Sequence, residues 1–160
     1  MNPVDDPAKR KNHWEKVWST SEPHDVSWCQ ESPDISLRLI EATGVNREAH
    51  IVDVGGGFST LVDNLLEQSF ENISVLDVSM SAIKHAQARL GALSRRASWI
   101  VGDVMTFRAD KPIELWHDRA VLHFMTDKRE LNLYVQSFTE SVAPNGHAII
   151  ATFALDGPTK

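Results

Sequence analysis

Three carboxylates, Asp53, Asp77 and Asp103, each stand at the end of a short apolar run or just behind one, and three glycines follow the first of them in Ile51-Val-Asp-Val-Gly-Gly-Gly-Phe-Ser-Thr60. Gly55, Gly56 and Gly57 let a ligand approach backbone that a Cβ would shield. An acid two residues before the first glycine suits a cationic ligand, because an ammonium or sulfonium is attracted where a pyrophosphate would be repelled. Asp77 can accept hydrogen bonds from both hydroxyls of a ribose, and Asp103, with Val104 beside it, from the amino group of an adenine. A lone aspartate after a strand is ordinarily a turn or cap residue. Three at successive strand ends, together with a glycine loop, reverse those odds and point to a nucleoside site. A second cluster lies between Trp116 and Phe124, where His117, Asp118, Arg119 and His123 crowd together. His117, His123 or Asp118 can take a proton near neutral pH. The plainer alternative is an Asp118–Arg119 ion pair, with His123 in the helix that follows.

These residues need elements to position them, and strand and helix signals alternate along most of the chain. That alternation predicts a Rossmann-like, doubly wound parallel sheet in a three-layer α/β/α arrangement. Ile35, Leu37, Leu39 and Ile40 predict a first helix that stops at Gly44. Strands are expected at 51–54, 73–77, 98–101, 113–116 and 147–153. Ser59 or Thr60 begins a helix through Leu61, Leu65 and Leu66, with its free N–H groups toward the ligand. Ser79 caps a helix carrying Ile83, Ala86 and Leu90, and Asp127 with Glu130 makes an acidic capping box for another. In this frame Asp53, Asp77 and Asp103 fall at the carboxyl edge of the sheet, where such folds bind ligands.

Two cofactor classes use a glycine turn after the first strand. The dinucleotide pattern G-x-G-x-x-G wants glycine at position 60, where Thr60 stands. The S-adenosylmethionine (SAM) pattern begins with the acid that Asp53 supplies, and departs from expectation only at Ser59, which replaces a third glycine. A nicotinamide-dependent oxidoreductase is therefore disfavoured.

The chain resembles the class I SAM-dependent methyltransferases over nearly its whole length. The glycine loop matches their first motif, Leu76-Asp77-Val78 the second and Gly102-Asp103-Val104 the third. It is also similar to methyltransferases of the thiopurine type in Trp14-Glu-Lys-Val-Trp18, Trp28-Cys-Gln-Glu31 and Trp116-His-Asp-Arg-Ala-Val-Leu122. The resemblance implies SAM as cofactor, held by Trp18, Trp28, Asp53, Gly55, Gly56, Gly57, Ser59, Asp77, Val78, Asp103, Val104 and His117. It implies that residues 1–34 fold over the cofactor, and that His117, Asp118 and Arg119 lie beside the transfer site. By their spacing alone, Trp14 and Trp18 can equally form a helix face packed on the domain.

At 160 residues the chain fits one domain, 1–160, and its net charge of -6 without a basic run argues against nucleic acid as the main partner. Apolar runs fall short of the roughly 18 residues of a membrane span, and Met-Asn-Pro-Val-Asp-Asp lacks a signal peptide's order. A cytoplasmic protein without membrane contact is expected. The single cysteine, Cys29, excludes an internal disulfide and a thiolate-cluster metal site, and the histidines show no metal spacing. Five parallel strands are visible of the seven usual in the family, the sequence ending at Leu155-Asp-Gly-Pro-Thr-Lys160. The expectation is an enzyme acting on a small-molecule or protein methyl acceptor, with a sheet edge open to homo-oligomer formation. The rival expectation is a non-catalytic SAM-binding or scaffold module.

Overall fold

Aliphatic and β-branched runs form strands because their stiff side chains pack well on a pleated surface buried on both faces. In the computed structural model, which describes residues 7–20, 32–119 and 121–152, five runs become strands. They are β1 (His50–Val54), β2 (Asn72–Asp77), β3 (Ala97–Val101), β4 (Ile113–Arg119) and β5 (Val142–Ala151). One sheet results, in the order β3-β2-β1-β4-β5, with every pairing parallel. The order changes direction between β1 and β4, and that switch opens a crevice beyond the carboxyl ends of the two strands.

Helices α1 (Pro7–Thr20), α2 (Asp34–Thr43), α3 (Leu61–Glu67), α4 (Met80–Leu90) and α5 (Lys128–Ser141) surround the sheet. On one face Ile51, Ile73, Val75 and Leu115 pack beneath Ile40 of α2 and Leu61 and Leu65 of α3. On the other, Val52, Val54, Leu76 and Trp116 pack beneath Tyr134 and Phe138 of α5. The alternation of side chains along each strand separates the two sets, giving the expected three layers. A third, smaller cluster joins Trp18 of α1 to Phe58 and to Ala82 of α4.

Local signals act where the sequence placed them. Gly44 closes α2 in the left-handed conformation, Ser79 accepts the Ala82 N–H at the start of α4, and Asp127 accepts the Glu130 N–H at the start of α5. Two strands depart from expectation. β4 runs on through His117, Asp118 and Arg119, past the expected end at Trp116. β5 begins at Val142, so Pro144, Asn145 and Gly146 lie within it rather than before it. A register shift against Ile113 and Leu115 absorbs the irregularity. An outer strand tolerates proline because one side of its ladder is unused. No helix of the described residues is long and apolar enough to cross a membrane.

Candidate functional site

The turn after β1 is built by its glycines. Gly55 has φ 68° and donates its N–H to the Leu76 carbonyl at 2.7 Å. A Cβ there would lie 2.2 Å from Val121 Cγ2, in a conformation side chains rarely adopt. Gly55→Ala is therefore expected to cost about 1–3 kcal/mol of stability, read as a lower urea midpoint. A helical turn over Gly56–Phe58 follows. Here the loop touches two of the acids: a Cβ on Gly56 would meet Asp53 Oδ2 at 2.2 Å, and one on Gly57 would meet Asp77 Oδ2 at 2.8 Å. Only a glycine pair lets both carboxylates approach the backbone this closely.

Asp77 joins this loop to the start of α4. Its Oδ2 accepts the Gly57 N–H at 3.0 Å and its Oδ1 the Ser79 N–H at 2.8 Å. Burial raises its pKa to about 6, against the lowering effect of those two donors, with the nearby charges of Asp53 and Glu15 adding to the rise. Asp103, in the turn after β3, accepts the Met105 N–H at 3.0 Å and a guanidinium N–H of Arg10 at 2.8 Å.

A cavity of about 130 Å³ opens over the carboxyl ends of the strands. Of the residues singled out from the sequence, Trp14, Trp18, Gly55, Asp77, Val78, Asp103, Val104, Arg119 and His123 line it. Asp53, Gly56, Gly57, Ser59, His117 and Asp118 do not. Asp53 lies beneath the glycine turn, against Gly56, and Ser59 Oγ accepts the Leu61 N–H at 3.0 Å. Trp28 and Cys29 lie outside the described residues.

Helix α1 closes one side of the cavity with Trp14, Trp18 and Arg10. Trp18 stacks on Phe58 with centroids 4.4 Å apart, and Trp14 meets Phe124 edge-on at 4.9 Å. So the tryptophans do both things their spacing allowed, packing on the domain and facing the cavity. Glu15 fixes the same helix to α4, accepting hydrogen bonds from the Ser79 and Ser81 hydroxyls. Arg10, which sequence reasoning missed, bridges Asp103 and Glu130. No local pattern flags it, because both partners are remote in sequence.

The second cluster divides by strand alternation. His117 is 1% exposed and turns away from the cavity, its Nδ1 2.7 Å from Asp53 Oδ1 and its Nε2 2.9 Å from Ser36 Oγ. Asp118 accepts hydrogen bonds from the Tyr134 hydroxyl at 2.6 Å and from the Val121 and Leu122 N–H groups. Burial raises the Asp118 pKa, while those donors lower it. As neighbours on a strand, Asp118 and Arg119 point to opposite faces, which explains why Asp118 bonds to Tyr134 instead of the expected Arg119. Arg119 and His123 reach the cavity, and burial lowers the His123 pKa, favouring its neutral form. Of the three side chains considered as bases, His123 alone lines the cavity. Among the described residues no three His, Cys, Asp or Glu side chains form a metal-binding group.

Strand order, parallel pairing and a glycine turn at the switch point define a Rossmann-like α/β domain with a nucleoside-type site. A profile of the methyltransferase-domain family matches residues 51–146, and the chain belongs to that family, as a class I methyltransferase domain. Among solved structures, the DhpI-SAM-HEP complex is similar over 92% of this chain and 65% of its own, with 15% identity and a TM-score of 0.71. The Haemonchus contortus phosphoethanolamine N-methyltransferase 1, in complex with phosphoethanolamine and S-adenosylhomocysteine, matches 92% of this chain and 32% of its own, at 19% identity and TM-score 0.67. The glycopeptide N-methyltransferase MtfA complexed with S-adenosylhomocysteine matches 83% and 56%, at 18% identity and TM-score 0.64. At these identities the likeness is one of fold. The chain spans from a third to two thirds of the length of these proteins. No curated protein matches it.

Proposed function

We propose that the chain binds S-adenosylmethionine and directs its methyl group to a nucleophile on a small molecule or a protein side chain. The observation that supports this most is the meeting of Gly55, Asp77 and Asp103 on one cavity at the switch point of a methyltransferase domain. The residues present fit the cofactor. Asp53 Oδ2 is a buried carboxylate oxygen without a hydrogen-bond partner, suited to an ammonium. Asp77 offers acceptors for two ribose hydroxyls, Asp103 for an adenine amino group, and Trp14 and Trp18 present aromatic surface that attracts a sulfonium.

When bound, SAM supplies an electrophilic methyl carbon on sulfur. The chain's own work is to align the acceptor with that carbon and to keep water out. Trp14, Trp18 and Phe124 supply the apolar wall. Arg119 and His123 stand at the cavity where an acceptor enters, Arg119 to orient it and neutral His123 to take a proton from an amine or acidic hydroxyl. His117 and Asp118 support this site from behind it. The thiopurine-type likeness of the Trp14–Trp18 and Trp116–Leu122 stretches favours a small-molecule acceptor.

Calorimetric titration with S-adenosylhomocysteine (SAH) tests the cofactor reading without a known acceptor. Micromolar binding is expected, and a folded sample that binds nothing overturns it. An acceptor screen with product detection then separates an enzyme from a non-catalytic SAM-binding module. The pH dependence is specific. Ribose hydroxyls donate to the Asp77 carboxylate, so binding favours its charged form and affinity is highest above about pH 6. At pH 5 only about a tenth of Asp77 is ionised in the free protein, and SAH is expected to bind about tenfold more weakly than at pH 7.5. A flat profile over that range would remove Asp77 from the ribose role.

A further inference from the structure

We propose that His117 is a positioning residue for the amino-acid end of the cofactor, acting through Asp53 in a buried chain that starts at Ser36; this rests on the cofactor reading above. Three elements contribute to it. Asp53 and His117 are register partners on β1 and β4, so their side chains share one face of the sheet. Ser36 comes down from the first turn of α2. All three are buried, at 2%, 1% and 5% exposure. The contacts form one line: Ser36 Oγ to His117 Nε2 at 2.9 Å, and His117 Nδ1 to Asp53 Oδ1 at 2.7 Å.

The chemistry of each group fixes the next. An ionised carboxylate offers only acceptors, so the Nδ1 that faces it carries the hydrogen. Nε2 is then left for the Ser36 hydroxyl, and the imidazole is held at both ends. With Oδ1 committed to His117, the Asp53 carboxylate has one rotation available, and its Oδ2 is the oxygen left buried without a partner. That oxygen is lodged under the glycine turn, at the place where Gly56 lacks a Cβ. A carboxylate oxygen held in a low-dielectric site costs free energy until a donor reaches it. The class of donor that fits is the ammonium of an amino acid. A purely structural ion pair leaves this unpartnered oxygen beneath the glycine turn unexplained.

Titration of the wild type, His117→Leu, His117→Asn and Ser36→Ala with two ligands tests the proposal. SAH has the amino-acid end; 5′-methylthioadenosine keeps the adenosine and the sulfur but lacks it. His117→Leu is expected to weaken SAH about tenfold or more while leaving methylthioadenosine within about twofold. His117→Asn, whose amide nitrogen stands near the place of Nδ1, is expected to restore most of the SAH affinity. Ser36→Ala is expected to show a smaller loss of the same selectivity. Parallel loss of both ligands, or loss of neither, overturns the positioning role while the cofactor reading stands. Failure of the wild type to bind either ligand overturns the cofactor reading and this proposal with it. Should His117→Leu not fold, Ser36→Ala and His117→Asn decide: a selective SAH defect in Ser36→Ala supports the chain, and its absence overturns it.

Discussion

Asp77→Ala is expected to weaken SAH binding by about 1.5–3 kcal/mol, because hydrogen bonds to a charged acceptor are worth that much and two ribose hydroxyls lose theirs together. The same substitution has a second, opposed effect on the ligand-free fold. Burial raises the Asp77 pKa from 3.8 to about 6, so the folded state holds this proton more tightly than the unfolded chain does. The resulting stabilisation is complete below about pH 4 and is lost as pH rises through about 6, a swing of roughly 3 kcal/mol. At neutral pH the wild type therefore bears the cost of a buried charge, which alanine removes. Alanine in turn strands the Gly57 and Ser79 N–H groups, at about 1–3 kcal/mol each when they stay dry. The ligand-free variant should thus lie within a few kcal/mol of wild type at pH 7.5 and lose ground as pH falls to 5. Urea denaturation at the two pH values reads the fold, and calorimetry at pH 7.5 reads the site. A variant that unfolds at pH 7.5 in proportion to its lost affinity would show that Asp77 is a structural staple of the glycine loop rather than a ligand group.

The parts of this site that were legible in the sequence are those with local causes. The glycine turn, the strand before it and the aspartates at strand ends announce themselves through residue type and spacing within a few positions. The caps at Ser79 and Asp127 do so as well. What was not legible depends on partners far along the chain. His117 and Asp118 fall past the end that the apolar run sets for the fourth strand, because polar side chains are seldom fully buried. They are buried here because Asp53 and Ser36 satisfy the first, and Tyr134, Val121 and Leu122 the second. Pro144-Asn-Gly146 reads as a turn for sound local reasons, yet it lies within a strand that is paired, in the described sheet, with β4 alone. Propensity gave way there to the outer position of β5.

Arg10 shows the same limit from the other side, and its replacement should have the largest effect on stability. The guanidinium is 5% exposed and bridges Asp103, at 15%, and Glu130, at 8%. Arg10→Ala takes from Asp103 and Glu130 the cation they share, a loss of about 3–5 kcal/mol in comparable buried pairs. The damage should begin at α1, which Arg10 and Glu15 help to attach to the domain through polar contacts and Trp14, Val17 and Trp18 through apolar ones. Release of the helix exposes both tryptophans, so their emission should shift to the red at urea concentrations below the main transition. Added salt should not reproduce the effect, because screening acts weakly on buried pairs. The charge argument is separable from the packing argument by Arg10→Ala/Glu130→Gln. With Glu130 neutral, only Asp103 is left charged, and it keeps the Met105 N–H and partial access to water. More than half of the lost stability should return. If it does not, the stem of Arg10 rather than its charge holds α1 down, and a methionine at that position should recover what the Gln variant fails to.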